Sequence, residues 1–356
     1  MKYLKFSSYK ALLSLIFIFY TLSATAAETE KQQELVFLSW SEYMDPALLQ
    51  AFTKQHNIAV KEVFFESDQV RTEMLLRTQG RGYDVVLVVG ADMATYRKRG
   101  WLAAIDDVQV PNLKHVNPRW QEAFEQAPKG YGVPYLWGGL GILYNKDKFT
   151  TPVNSWQQLF KPEPRLKGRI LILRNNKDVL GLALKSLGYS YNSSNRSELK
   201  AVKKLLLAQK PFVGSYSVAI LNKTSGFVTG DYWMGMSYNG DALMLKDLNP
   251  QLKFVIPQEG TALWCDYLTI MQTSENKAAA FKFIDFMNQP KNAAQLAQYV
   301  RYASPNQAAE KLLPPEYLSN PLIYPSKAVL ERSETGIALP PRINKTRTSI
   351  YNQLLH

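Results

Sequence analysis

Three short stretches combine large rings with carboxylates: Trp40-Ser41-Glu42-Tyr43, Tyr238-Asn239-Gly240-Asp241 and Trp264-Cys265-Asp266. In each, a Trp or Tyr lies within three residues of an acid, and Tyr135 and Tyr302 add rings at further turns. An ammonium resting on an indole or phenol face gains about 0.5–2 kcal/mol, more where water is excluded. A charge-assisted hydrogen bond to a carboxylate adds about 1.5–3 kcal/mol. Two or three such stations suffice for micromolar binding of a cation, which requires about −8 kcal/mol. Methylene spacers between amines would lie along the rings. Taken singly, each ring reads as core or interdomain packing; repeated at several strand ends, they read as a pocket.

Signatures of covalent chemistry are missing. The sequence has no G-x-S-x-G elbow, no Walker loop, no G-x-G-x-x-G and no H-E-x-x-H. The Gly138, Gly139, Gly141 cluster precedes a strand, whereas a dinucleotide loop joins a strand to a helix. His56, His115 and His356 have no acidic neighbour that would suggest a triad, and with Cys265 they are too scattered for a zinc site. Cys265 reads as an inert thiol, and a single Cys cannot form an internal disulfide. A secreted enzyme using paired carboxylates such as Asp241 and Asp266 is the competing reading; it would consume a candidate substrate, whereas a receptor would release it unchanged.

The elements that must hold these residues follow in a regular order. Residues 34–40 (ELVFLSW) form a strand-length apolar run, and Asp45-Pro46 then opens a helix carrying Leu48, Leu49 and Phe52. Residues 60–65 read as a second strand, Asp68 starts a second helix, and 83–89 (YDVVLVV) is the most strand-like segment, followed by a helix to Gly100. This alternation implies parallel strands with crossover helices. Residues 131–141, with Pro134 and three glycines, should break the pattern before a strand resumes at 142–144. Segments 170–173, 179–187, 197–209 and 232–238 alternate again as a second α/β domain. The Trp264 burst is expected past the end of a strand at 254–256, and ligands of open α/β sheets bind outside the carboxyl ends of strands. Helices follow at Lys277–Asn288 and 292–300, then a Pro-rich tail from Pro314.

Residues 1–27 read as a secretory signal peptide. Lys2, Lys5 and Lys10 precede an apolar run at 11–22, and small residues give cleavage near Ala26 or Ala27. The run is shorter than the ~20 residues of a membrane span, and no Cys follows it for a lipid anchor. Three lysines leave with the signal, so the +12 of the whole chain (42 basic and 30 acidic residues) becomes +9. The basic clusters Arg97-Lys98-Arg99 and Arg342, Lys345, Arg347 are short and read as solvated surface, so no nucleic-acid partner is expected. With 46% hydrophobic and 12% aromatic residues the chain is ample for a packed core and is not disordered.

Trp40-Ser41-Glu42-Tyr43 is followed by Pro46, Leu48, Leu49 and Phe52, then Phe65-Glu66-Ser67, Tyr83-Asp84-Val85-Val86 and Val133-Pro134-Tyr135-Leu136-Trp137-Gly138. Leu187-Gly188-Tyr189-Ser190, Tyr238-Asn239-Gly240, Glu259-Gly260 and Ser304-Pro305-Asn306 with Ala308-Ala309 complete the series. In this order the chain resembles the bacterial spermidine/putrescine-binding periplasmic proteins, from about Glu34 to the C-terminus. The resemblance implies an α/β, two-lobed periplasmic binding protein fold (type II-like), each lobe a mixed, mostly parallel sheet flanked by helices, with the ligand in a cleft between lobes. Lobe 1 would comprise 28–134 plus 266–311 and lobe 2 135–265 plus 312–356, hinged at 134–137 and near Asp266. Trp40, Ser41, Tyr43, Tyr238, Trp264, Asp266 and Tyr302 match pocket residues of the family, and Asp178 takes the place of a pocket Glu. Asp266 would hold an amine, with Trp264 and Tyr238 along the chain.

The implied ligand is a linear polyamine of the spermidine, norspermidine or putrescine class, bound without catalysis, cofactor or metal. The implied partner is an inner-membrane ABC permease or the periplasmic domain of a membrane signalling receptor, and the protein is expected to be a periplasmic monomer. Four positions depart from the family. Val88-Val89-Gly90-Ala91 lacks a Pro-Ser-x-Tyr hydroxyl, Asn175 replaces a pocket Asp, Tyr238 replaces a Trp, and a distal Gln has no counterpart.

Overall fold

The structure is a computed structural model that describes residues 32–122 and 130–356. Residues 1–27, expected to be a signal peptide, lie outside the described residues. Ten strands are present among them: β1 (Gln33–Ser39), β2 (Ile58–Phe64), β3 (Val85–Val89), β4 (Val133–Asn145), β5 (Ile170–Ile172), β6 (Val213–Tyr216), β7 (Met234–Tyr238), β8 (Leu252–Val255), β9 (Ala262–Ile270) and β10 (Glu334–Thr335). Hydrogen-bonded neighbours run β2-β1-β3-β9-β4-β7-β5-β6, with β8 on β4 and β10 on β9. Pairs β1–β2, β1–β3, β5–β6 and β5–β7 are parallel, as alternating strands and helices require. β9 is antiparallel to both β3 and β4, which strand–helix alternation did not predict. The chain re-enters the first set of strands after building the second, so β9 arrives from the opposite end. This is a mixed α/β fold.

The expected break at 131–141 is instead the first part of β4, which runs unbroken for 13 residues. Pro134 is accommodated by a register shift between Pro134 and Leu136 against β9. The glycines are there for close approach: a Cβ at Gly138 would strike the Trp264 ring and Asn239, and one at Gly141 the Phe254 ring. The first part of β4 pairs with β9 and the second, from Leu140, with β7 and β8.

Two large apolar cores lie along this path. The first gathers Leu35, Phe37, Phe52, Val86, Tyr96, Leu268, Phe283 and Leu296 around β1, β3 and β9. The second gathers Ile142, Trp156, Phe160, Ile172, Leu182, Leu206 and Met236 around β5 and β7. Alternation along β4 sends Ile142 into the second core and Leu143 into a small third cluster with Phe227 and Phe254.

Several resemblance motifs hold the frame together. Asp84 is buried and accepts from the Val36 amide (2.8 Å) and the Ser274 hydroxyl (2.6 Å), pinning β3 beside β1. Glu259 accepts from the Trp156 amide at 3.1 Å, and the Gly260 carbonyl from the Trp156 indole at 2.8 Å. Asp45 and Ser67 cap the helices Pro46–His56 and Asp68–Thr78.

Candidate functional site

The aromatic and acidic residues converge where the two cores meet. Trp40 follows β1 directly, and Tyr43 lies in the loop before the helix Pro46–His56. Tyr238 ends β7. Trp264 and Asp266 lie inside β9 and Tyr135 inside β4, which corrects the expectation of strand ends and turns for these three. Alternation along β9 puts Trp264 and Asp266 on one face and buries Cys265 on the other. Tyr302 follows the helix Pro290–Val300, after Arg301 in a left-handed conformation.

The rings form one cluster. Tyr43 stands 5.7 Å from Tyr135 and from Tyr302, and 6.5 Å from Trp264. Trp264 is 5.0 Å from Tyr302 and 6.1 Å from Tyr238, edge to face in both pairs. Tyr238 and Trp264 pack against both large cores. Trp40 packs at 4.4 Å on Phe65, and the Arg71 guanidinium covers the Phe65 ring at 5.2 Å. Ser41 is exposed in the turn after β1. Gly240 lets Tyr302 approach, because a Cβ there would strike that ring. The Trp264 indole N–H and the Tyr43 hydroxyl are buried and make no hydrogen bond.

Three carboxylates surround this cluster. Asp266 is 6% exposed, paired in the sheet with Val89 on one side and Leu136 on the other. Among the described residues it makes no ion pair. Burial, followed by Asp68, pushes its pKa up to about 7, against a weaker downward pull from Arg71, Tyr43 and Trp40. Asp178 accepts from the Tyr191 hydroxyl at 2.8 Å and the Tyr238 hydroxyl at 3.1 Å. Burial takes it up to about 6; the two phenols and Lys177 pull down, while Asp68 pushes up. Asp241 accepts from the Tyr302 hydroxyl at 2.6 Å and is pushed to about 6 mainly by burial.

Local sequence explains Asp178. Asn175 caps the helix Asn176–Ser186, accepting from the amides of Lys177 and Asp178 at 3.0 and 3.4 Å. Asn175, at which the resemblance implied the loss of a pocket Asp, is thus a helix cap. Gly181 on this helix clears the Tyr191 ring, whose hydroxyl then reaches Asp178.

Sequence reasoning missed Tyr191 and a buried charge network. Arg71 is fully buried and donates to Asp68 (2.7 Å), Asp92 (2.7 Å) and Tyr96 (3.2 Å). Lys177 donates to Asp92 at 2.6 Å. Burial alone would raise Asp92, but Lys177 and Arg71 outweigh it and hold the carboxyl below its usual range. The only advance signal was the cap-like Glu66-Ser67-Asp68.

Burial and the adjacent Asp266 push the Cys265 thiol up, away from the reactive thiolate. Among the described residues, no three His, Cys, Asp or Glu side chains group to hold a metal, and no helix is long and apolar enough to cross a membrane.

The family model for bacterial extracellular solute-binding proteins matches residues 47–325. The chain is 31% identical over 314 residues to the spermidine/putrescine-binding periplasmic protein of Escherichia coli, covering 88% of this chain and 89% of that one. It is 29% identical over 293 residues to the norspermidine sensor of Vibrio cholerae, covering 82% and 80%. The solved spermidine/putrescine ABC transporter substrate-binding protein from Streptococcus pneumoniae superposes with a TM-score of 0.77 at 27% identity, over 91% of this chain and 98% of that one. That likeness identifies the α/β architecture as the periplasmic binding protein fold. These relatives are solute binders and not enzymes. The chain belongs to the bacterial extracellular solute-binding proteins and, within them, to the family of the spermidine/putrescine-binding periplasmic proteins.

Proposed function

We propose that this protein is exported by its first 27 residues and binds a linear polyamine of the putrescine, norspermidine or spermidine class in the periplasm. The observation that carries this reading is Asp266: a buried carboxyl without an ion-pair partner among the described residues, beside Tyr43 and Trp40 and on the same strand face as Trp264. An ammonium entering there gains a charge-assisted hydrogen bond and ring faces at once. Trp264, Tyr238, Tyr302, Tyr43 and Trp40 flank the methylene chain, Asp178 receives its far end, and Ser41 contributes a hydroxyl at the rim.

Lobe 1 is 28–134 with 266–311 and lobe 2 is 135–265 with 312–356, closing on the amine about 134–137 and Asp266. Ligand binding shifts the open–closed equilibrium because both lobes touch the bound amine only when closed. The closed form is delivered to an ABC permease in the inner membrane. A sensor role, in which the closed form is read by a membrane signalling receptor, is the second reading, favoured by the 29% identity to the norspermidine sensor. Loss of radiolabelled amine uptake on deleting the gene supports delivery; undiminished uptake supports sensing.

Thermal unfolding of the purified protein tests the binding claim. Putrescine, norspermidine or spermidine should raise the melting temperature, and Asp266→Ala should remove the rise. A rise that persists undiminished in the variant would overturn the role given to Asp266.

A further inference from the structure

The cation that meets Asp92 belongs to the chain itself. Lys177 Nζ lies 2.6 Å from Asp92 Oδ1, and Arg71 donates to Asp92 Oδ2 at 2.7 Å. Lys177 sits on the helix Asn176–Ser186, whose buried side chains enter the second core, while Asp92 sits on the helix Gly90–Lys98, packed into the first. The ion pair therefore joins the two cores. It does so beside the site: Lys177 adjoins Asp178, and Val89, three residues before Asp92, is paired with Asp266. Arg71 connects the same network to Phe65 and, through it, to Trp40.

Val89, Gly90 and Ala91 carry neither ring nor hydroxyl, and Ala91 would be 3.6 Å from a Cβ built on Gly336. Asp92 in turn has both oxygens engaged, one by each cation.

A lysine side chain is a four-carbon stem ending in an ammonium, chemically the aminobutyl end of a polyamine. We propose that Lys177 is a specificity-determining residue: a tethered aminobutyl cation that already fills the Asp92 station, so that the protein closes on a diamine in preference to a longer triamine. The inference rests on the polyamine reading above. A third ammonium entering at this end would meet Lys177 and Arg71 with no free carboxylate on Asp92, and like charges placed together without compensation discriminate against the longer ligand.

Calorimetry of the purified protein with putrescine and spermidine, comparing the unsubstituted chain with Lys177→Ala and Lys177→Arg, tests this. The unsubstituted protein should prefer putrescine. Lys177→Ala should tighten spermidine by about tenfold and change putrescine by less than about threefold, whereas Lys177→Arg, which keeps a cation, should retain the exclusion. If Lys177→Ala weakens both amines equally, the residue is a structural strap and the proposal fails. If the unsubstituted protein already prefers spermidine, it fails without recourse to any variant, even one that does not fold. Binding of both amines with spermidine affinity unchanged by Lys177→Ala removes this inference and leaves the polyamine reading standing, whereas no heat with either amine in any of the proteins removes both.

Discussion

Asp266 and Asp178 are the same residue type, both largely withdrawn from water and both lifted mainly by burial, yet their surroundings differ. Asp178 has two phenol donors at 2.8 and 3.1 Å and the charged Lys177 next to it. Asp266 has rings and no ion pair among the described residues, and the pull of Arg71, Tyr43 and Trp40 does not offset its burial. The protein supplies one carboxylate with two hydrogen-bond donors of its own and leaves the other without an ion-pair partner among the described residues. A buried carboxylate without a counter-ion destabilises the ligand-free fold, so Asp266 is the costlier of the two to keep and the one most coupled to a guest.

The largest expected effect separates these two acids directly. Asp266→Asn should weaken polyamine binding on the order of 100-fold or more, as truncating one partner of a buried charge pair does. Asp178→Asn should cost only about tenfold, because its share of the guest is already divided with two phenols. Titration calorimetry on both variants decides it, and the opposite ranking would break the contrast. The same Asp266→Asn change should leave the ligand-free melting temperature at pH 8 unchanged or higher, since it removes a desolvated charge.

Proton linkage gives the next effect. With the carboxyl of Asp266 raised from 3.8 to about 7, the folded state holds a proton that the unfolded chain releases. The Asp266 contribution to ligand-free stability is therefore fully present below about pH 3.8 and is lost as pH rises through about 7. Binding an ammonium requires the ionised form, so affinity should drop about 25-fold from pH 7.5 to 5.5, and protons should be released on binding near pH 6. Calorimetry in two buffers of different ionisation enthalpy measures that release. An affinity flat across this range would mean that Asp266 is already ionised in the free protein, and the contrast with Asp178 would then narrow.

Much of this frame was legible in the residues, and the exceptions share a cause. Trp40, Tyr238 and Tyr302 lie at the element ends that strand and cap signals indicated, because those signals are local. The run 131–141 read as a break since Pro134 and three glycines usually interrupt strands; here the glycines make room for Trp264, Asn239 and Phe254, all distant in sequence. β9 was misplaced for the same reason: its identity as a strand comes from pairing with β3 and β4, and a mixed run such as ALWCDYLTI has no clear period of its own. The Arg71, Asp92 and Lys177 network spans separations of 21 and 85 residues, which leave no spacing to read.

The smallest effect is the most selective. Tyr238 has two roles at once: its ring faces Trp264 edge-on at 6.1 Å, and its hydroxyl holds Asp178 at 3.1 Å. Tyr238→Phe keeps the first and removes the second, so any loss belongs to the hydrogen bond alone. Asp178 would retain Tyr191 as a donor, and the expected cost to polyamine affinity is about threefold to tenfold. Tyr191→Phe removes the other donor and should cost a similar amount, although the Tyr191 ring rests on Gly181 and outside the ring cluster around Trp264. Equal losses would mean that both phenols act by orienting Asp178. A loss confined to Tyr238→Phe would mean that its hydroxyl meets the guest directly, making the Asp178 end more like the Asp266 end than its hydrogen bonds suggest.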